Sequence, residues 1–534
     1  MNLPRSPRLS CNYPVAILGD GEAHRVGQAS RLSPDSLPSV IKGWLSPKAR
    51  NCGPERISKD VRDRRDACPT ASARPNAQRE RGSVLIIVLW IAFGLVTLAL
   101  YFANSMGMEL RAADNRVAGL EAEQAIDGAI RYVSKVITNV VTPGTLPDIE
   151  SYQRSDVPVG EASFWFIGRS DEQTSSEQVY FGLVDEASKL NLNTATLAML
   201  QLLPRMTPEL AAAIIDWRDS NSDVTTGGAE DEIYQRLSPA YRCKNAPFDS
   251  VDELRLIHGT TAETLFGDDP NRNGALDPNE NDGDYSPPND DRNARLDPGI
   301  TEYLTVWSRE SNVSRTNVNT QTNLASLLLD KFGAERANQI LARFGTPPST
   351  NRPPGGGGTT RQVGNLIEFF VVGQLTQDEF AQIYSDITAT NTTVLGLVNI
   401  NTASEAVLAC IPGIGTDKAS TVVAYRQGKT TQLNSVAWLV EAVGQEAALQ
   451  AAPYVTARSS VFTADVAALG HHDRGYRRIR HIIDNAESPP RVVYRQDLSH
   501  LGWALGRDVR EQLELDRDQR AINPNRGSSL TRIR

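Results

Sequence analysis

Cysteine is scarce in this chain: five in 534 residues, of which Cys11, Cys52 and Cys68 all fall before residue 79. Only Cys243 and Cys410 remain for everything that follows, which excludes a disulfide framework. The two either pair in a single bond or stay as two buried thiols. An excess of positive charge is missing as well. The net charge is -9, which argues against a protein that coats nucleic acid. No Gly-x-Ser-x-Gly, P-loop, His-Glu-x-x-His or Rossmann fingerprint occurs, so nothing reads as a catalytic constellation. Asp216, Asp219 and Asp223 trail a predicted helix end, where acids are normally solvated, and a loop between strands accounts for His471 and His472. The most informative absence is local: from Ser83 to Ala103 there is no charged residue.

That run, GSVLIIVLWIAFGLVTLALYFA from Gly82, follows Arg79, Glu80 and Arg81. As a helix it is about 31 Å long, enough to cross the hydrocarbon of a bilayer. The arginines before it keep the front on the cytoplasmic side and send the large remainder across. The run does not stop at a small-residue cleavage site, as a secretory signal would. It continues into a segment where Leu110, Val117, Ala118, Ala125, Ala129, Tyr132, Val133 and Val136 recur at three- and four-residue spacing, which predicts one amphipathic helix continuing to about residue 141.

The length leaves room for three or four domains. Residues 1–82 are rich in Pro, Ser and Arg and are expected to be disordered: a long leader, or an extension upstream of a short leader ending in Arg-Glu-Arg-Gly. Over 142–189, GEASFWFIGR and EQVYFGLVDEASKL alternate as strands around Phe164, Phe166, Val179 and Phe181 and predict a hairpin packed on the helix. Residues 190–453 hold three segments that align without gaps, opening at Asn191, Asn317 and Asn399 as Asn-apolar-Asn-Thr. Each has an alanine twenty residues on (Ala211, Ala337, Ala419) and ends with an aromatic beside an arginine. The period predicts a capped turn, a helix, a tight hairpin and a second helix, three times over. A further element follows each copy (FDSVDELRLI, RQVGNLIEFF, LNSVAWLVEAV), and the Gly355–Gly358 run reads as a loop. Strand alternation returns over 454–505 and completes the sheet begun near Phe164; 506–534 reads as a flexible tail. The fold class is therefore α+β, a sheet split by a large all-α insertion.

Two motifs within the insertion carry chemistry. Ile411-Pro412-Gly413-Ile414-Gly415, with Lys418 and Ala419, has the form of a helix-hairpin-helix turn, whose glycines let backbone N–H groups approach a phosphate. Only one of the three copies has the full turn and basic residues are thin around all three, so the reading here is a structural hairpin; a membrane-tethered DNA-uptake receptor is the alternative. The second motif fits the calcium-loop pattern D-x-[DN]-x-[DN]-G-x5-E. Asp269, Asn271, Asn273, Asp277 and Glu280 supply side-chain oxygens, Ala275 a backbone carbonyl, and Gly274 the sharp turn. Pro270 and Pro278 interrupt any flanking helices, so this predicts a calcium loop without an EF-hand switch. A second run, Asn289, Asp291, Asn293 and Asp297, repeats the spacing without the glycine or the last glutamate and is a weaker calcium candidate.

A basic pair, a glycine, then an apolar helix running into an amphipathic one resembles a type IV prepilin N-terminus. That resemblance implies cleavage between Gly82 and Ser83 by the prepilin peptidase. Most such subunits carry glutamate at the fifth mature position to neutralise the subunit above; here it is Ile87, which suggests a subunit with nothing above it. Together with the LNLNTA and VNINTAS segments, IIDWRDSNSD and GGAEDEIYQRLSPAYRCKNAPFDSVDELRLIHG, the chain is similar to the minor pseudopilin K family of type II secretion. The resemblance covers about Arg79 to Leu505 and implies a non-enzymatic assembly protein of the inner membrane with a pilin-like periplasmic head that binds calcium. The partners it implies are minor pseudopilins I and J, the major pseudopilin and the inner-membrane secretion platform; nucleic acid is not among them.

Overall fold

The computed structural model describes residues 83–140, 147–169, 178–312, 314–345, 361–429 and 433–522. The predicted leader, Gly82 and the Gly355–Gly358 run lie outside the described residues. The chain divides into two units at Ile86, and the described part of the first is only the opening turn of helix α1.

Helix α1 runs unbroken from Ser83 to Thr138. Its buried face begins later than the sequence period suggested. Ala118, Ala122, Ala125, Ile126, Ala129, Val133 and Ile137 are fully or almost fully buried, whereas Leu110 and Val117 are at least half exposed and Tyr132 is 38% exposed. Small residues dominate this face because it lies flat on a sheet, and alanine lets helix backbone and strands approach closely.

The sheet contains six strands: β1 Val157–Val159, β2 Ala162–Ile167, β3 Val184–Asp185, β4 Val461–Gly470, β5 Arg474–Asp484 and β6 Arg491–Asp497. Their order is β1-β2-β4-β5-β6, with β3 also on β4, and every pair is antiparallel. Strand β2 therefore finds its main partner almost 300 residues later, with Phe166 opposite Val466 and Phe164 opposite Ala468. The expected hairpin between β2 and EQVYFGLVDEASKL is reduced to one antiparallel bridge, Ile167 with Phe181, with Gly168 N–H on the Tyr180 carbonyl and Gly182 N–H on that of Phe166; further on, the segment gives the two residues of β3. Alternation sorts the sheet's side chains into two cores. Phe164, Phe166, Phe462, Ala464, Val466, Ala468, Ile479 and Ile483 meet α1. Trp165, Ile167, Ala467 and Leu469 meet Ala275 of the acidic loop and Leu513 of a last helix, α2, Gly506–Ile522. The C-terminal stretch read as a loose tail is thus, as far as Ile522, a helix covering the second face.

The insertion is helical with its own core, and the three copies share one construction. Each opens on a two-residue strand paired in parallel with one that follows later in the chain: Leu190–Asn191 with Leu304–Thr305, Thr316–Asn317 with Ile387–Thr388, Val398–Asn399 with Val455–Thr456. The first Asn accepts the N–H two residues on, at 2.8 Å in Asn191 and Asn317 and 3.0 Å in Asn399. The second Asn reaches the element that follows the hairpin. Asn193 donates to and accepts from the Phe248 backbone, Asn319 does the same at Val363, and Asn401 donates to Leu433 O while accepting the Trp438 indole N–H. A side-chain amide is the one group able to stand in for a strand partner here, giving and taking at once. Ala211, Ala337 and Ala419 are all buried, as the alignment requires. Cys243 and Cys410 are both free, and burial pushes each thiol up to about 12.

Candidate metal loop and membrane anchor

From Val84 to Phe102 every large apolar side chain of α1 is at least half exposed, and the helix passes the length and hydropathy test for a membrane span with none of its apolar window buried. A core helix of a soluble protein would bury one face. This segment instead offers apolar surface all round and continues into the packed part of the same helix, as a single anchor does. Ser83 is the first residue of α1; the other residue of the predicted cleavage site, Gly82, is not described.

Where α1 first touches the sheet it is gripped by the β4–β5 turn. Gly470 and Gly475 lie against the backbone of Ala118 and Gly119. His471 places Nδ1 2.7 Å from Glu121 and Nε2 2.9 Å from Asp114, and Arg474 also reaches Asp114. The two carboxylates raise the His471 pKa, hydrogen bonding first and charge second. The histidine pair set aside as a loop is thus half structural: His471 clamps α1, while His472, at φ 55°, turns the chain.

The predicted calcium loop lies on the opposite face. Asp269 accepts the N–H groups of Asn273 and Gly274 at 3.0 and 2.9 Å, Asn271 Oδ1 accepts Asn273 N–H, and Asn273 Oδ1 accepts Ala275 N–H. The side-chain amides of Asn271 and Asn273 both donate to Asp277 Oδ2, at 2.7 and 3.0 Å. Glu280 returns to the same place, with Oε2 on the Asp277 N–H at 2.9 Å. Its other oxygen, Oε1, is buried and unpartnered. The structure therefore brings Asp269, Asn271, Asn273, Asp277 and Glu280 together, with Ala275 buried beneath them. Burial pushes the Glu280 carboxyl up to about 9, and the Asp269 charge adds to this. A donor set made wholly of oxygen, with one buried oxygen spare, suits a hard cation such as Ca²⁺.

Arginines hold this loop to the sheet. Arg478 of β5, 0% exposed, donates through Nε and Nη2 to Asp465 of β4 at 2.9 and 2.8 Å. It also donates to the carbonyls of Arg272, at 2.7 Å, and Asn271. Arg169 adds a 3.1 Å bond to the Arg272 carbonyl while paired with Glu302 at 2.6 Å. Burial alone would raise the Asp465 pKa, but Arg478 and Arg480 hold it well below the usual carboxylate range. Their role was not read from the sequence; the cue was RRIRHIID, three arginines within four residues of one strand.

The weaker calcium run is arranged differently. Asn293 donates to Asp291 at 2.9 Å and to Asp297 at 3.5 Å, and Asn289, Asp291 and Asn293 are exposed. Among the described residues that run has no orphaned buried oxygen. The helix-hairpin-helix turn packs inward as well. A Cβ on Gly413, at φ 86°, would fall 2.4 Å from the Ala447 carbonyl, so this glycine lets the turn meet its own helix Gln445–Ala451 and not a phosphate. Asp417 occupies the first turn of the next helix, where an anion would be repelled. Asp216, expected in solvent, is fully buried.

Comparison with known proteins follows the same lines. Residues 183–266 match the family described as Type II secretion system (T2SS), protein K, and residues 395–456 match the helix-hairpin-helix motif. The chain is 30% identical over 210 residues to Type II secretion system protein K of Aeromonas hydrophila, covering 35% of this chain and 61% of that one. It is 44% identical over 54 residues to the protein of the same name from Klebsiella pneumoniae (10% and 17%), and 23% over 196 residues to that of Pectobacterium carotovorum subsp. carotovorum (35% and 60%). The matches thus span about three fifths or less of the curated relatives' length. A solved GspK-GspI-GspJ complex of the enterotoxigenic Escherichia coli type 2 secretion system aligns with a TM-score of 0.35 and 11% identity, over 73% of this chain and 99% of that one. The resemblance to protein K read from the sequence is borne out by the family model and by all three relatives.

Proposed function

We propose that this chain is a minor pseudopilin of the type II secretion system, an assembly protein without catalytic activity that caps the tip of the pseudopilus and takes part in secretion across the outer membrane. One observation carries the reading: a single helix passes from an exposed apolar segment directly into the core of an antiparallel sheet whose two halves flank a large helical insertion. The apolar part holds the protein in the inner membrane with its C-terminal domain in the periplasm. The prepilin peptidase cuts between Gly82 and Ser83, and the freed helix packs beside those of other pseudopilins. Ile87 in place of a glutamate, and an insertion too bulky to repeat along a filament, favour the tip. Minor pseudopilins I and J are the neighbours this predicts, with the major pseudopilin and the inner-membrane platform beyond them.

The loop of Asp269, Asn271, Asn273, Asp277 and Glu280, with the Ala275 carbonyl, would hold calcium and brace the head against the sheet face that Arg478 serves. In the weaker run Asn289, Asp291 and Asn293 are exposed and Asp297 is half-buried. The helix-hairpin-helix units act as internal packing, since their glycine turn is filled by protein. Mass spectrometry of the protein made with and without prepilin peptidase tests the whole reading: a mature chain beginning at Ser83 is expected only with the peptidase. An uncut chain in both, or failure to co-purify with pseudopilins I and J, would overturn it.

A further inference from the structure

The turn that grips α1 also gathers metal ligands. Asp114, His471 and His472 each bring one ligand atom to within 4.8 Å of the other two. His471 Nε2 lies 2.9 Å from Asp114 Oδ1, while Asp114 Oδ2 is taken by Arg474. On the other side of the ring, Nδ1 lies 2.7 Å from Glu121 Oε2, which also accepts the His471 backbone N–H at 3.0 Å. The two imidazoles stand edge to face, with 5.1 Å between ring centroids and 81° between planes. His472 is at φ 55° and Asp473 at φ 58°, so the chain reverses within two residues and holds the second ring beside the first. His471 is 8% exposed, Asp114 and Glu121 are half-buried, and His472 is exposed, which leaves the group open to an ion on one side.

The donors differ from those of the 269–280 loop. Two imidazole nitrogens and one carboxylate suit a borderline cation such as Zn²⁺, whereas calcium wants oxygen alone. Glu121 supplies what a metal-binding histidine usually has behind it: a carboxylate on the far nitrogen, which fixes the proton on Nδ1 and presents Nε2 to the metal. Ligand atoms on a tetrahedral zinc stand about 3.4 Å apart. The three must therefore draw in by up to about 1.4 Å, a movement that rotation of the exposed His472 side chain can supply. We propose that Asp114, His471 and His472 bind a divalent cation of the Zn²⁺ class, with water as the fourth ligand and Glu121 orienting His471. In the metal-free chain a proton on His471 joins the same carboxylates instead. The ion cross-links α1 to the β4–β5 turn about 16 Å along the helix from Ala103, where the uncharged run ends, and so braces the entry of the anchor into the sheet. The site shares no residue with the 269–280 loop and needs no secretion partner.

The test is zinc binding by the full chain in detergent, made without a polyhistidine tag and kept in millimolar calcium so that acidic loops do not take up the zinc. Equilibrium dialysis with radioactive zinc should find one more ion per chain on the parent than on His472→Asn, since asparagine tolerates φ 55° but is a poor zinc ligand. Zinc held elsewhere in the chain cancels in that difference. In EDTA the two chains should melt together, and micromolar zinc should raise Tm in the parent alone. Glu121→Gln should weaken the site about tenfold or more without changing its stoichiometry. Equal zinc on parent and His472→Asn, or a zinc-induced rise in Tm shared by both, would overturn the proposal. Cobalt(II) gives a readout that does not depend on stability: the parent should show the strong visible bands of a four-coordinate ion, and His471→Gln should lose them. Bands absent from the parent, or unchanged in the variant, would count equally against the site.

Discussion

Replacing Arg478 by methionine tests the central joint of the fold, because this one side chain ties β4, β5 and the acidic loop together. Arg478 is 0% exposed and its guanidinium serves Asp465 and the carbonyls of Asn271 and Arg272. Methionine fills most of the volume but leaves Asp465, 1% exposed, with Arg480 alone, at 2.9 and 3.2 Å. Breaking a buried ion pair from one side costs about 3–5 kcal/mol. Each stranded carbonyl adds about 1–3 kcal/mol unless water reaches it, though these terms overlap. The remaining arginine offsets part of the loss, so we expect about 4 kcal/mol in all, or roughly 5 °C in Tm for a head of about 400 residues. The assay is thermal unfolding of the full chain in detergent, in EDTA and in millimolar calcium. Asp465→Leu added to Arg478→Met should recover part of the loss, since removing both charges is far cheaper than stranding one. A fall under about 2 °C, or a double variant no better than the single, would refute the account of Arg478 as the clasp of the loop.

Three further outcomes follow from the same structure. Glu280→Gln should abolish most of the calcium-induced rise in Tm; an undiminished rise would remove the 269–280 loop from the metal assignment. His471→Gln should cost more stability at pH 5.5 than at pH 9. The folded-state pKa of His471 is raised by Asp114 and Glu121, so its contribution is complete below about 6.5 and is lost as pH rises through the folded value. His472, Asp473, Arg474 and Arg477 also line this contact, so the comparison is made between variant and parent at each pH; a gap that widens with pH would contradict the sign. Gly413→Ala should lower Tm by several degrees, because its Cβ meets the Ala447 carbonyl at 2.4 Å and its φ is 86°. In a gel-shift at physiological salt neither parent nor variant should bind DNA tightly, and salt-sensitive binding lost with Gly413→Ala would favour the uptake-receptor reading.

Features that repeat or persist were legible in the sequence. An uncharged run of 21 residues admits few readings, and α1 is one unbroken helix as its period required. The three Asn-x-Asn-Thr openings marked three equivalent turns before any partner was visible. What the spacing could not give was the partner. The second Asn of each pair closes on a backbone 55, 44 or 32 residues away, in the last case also on the Trp438 indole, and only the fold brings these together. Strand β2 meets its local partner only at Ile167 and Phe181, and its main neighbour β4 lies beyond the whole insertion, which proximity in sequence does not reveal. Helix α2 was missed because charge dominates it, while the apolar residues that dock it, such as Leu513 and Val509, are few.

The acids show where reading by residue type fails. The 269–280 loop could be found because its ligands follow a local pattern, and the structure collects them around one buried oxygen of Glu280. Asp216 carries no such signature. It stands near a helix end, where most carboxylates are solvated, yet the loop that returns through Gly228 and Glu230 closes over it. Its burial depends on the thirteen residues between it and Glu230 folding back, which spacing alone does not encode. The cue available was the Gly-Gly-Ala-Glu stretch from Gly227, small residues that let the returning chain approach the Asp216 side chain. Gly228 is needed there because the Asp216 carboxylate occupies the place a Cβ would take, 2.0 Å away.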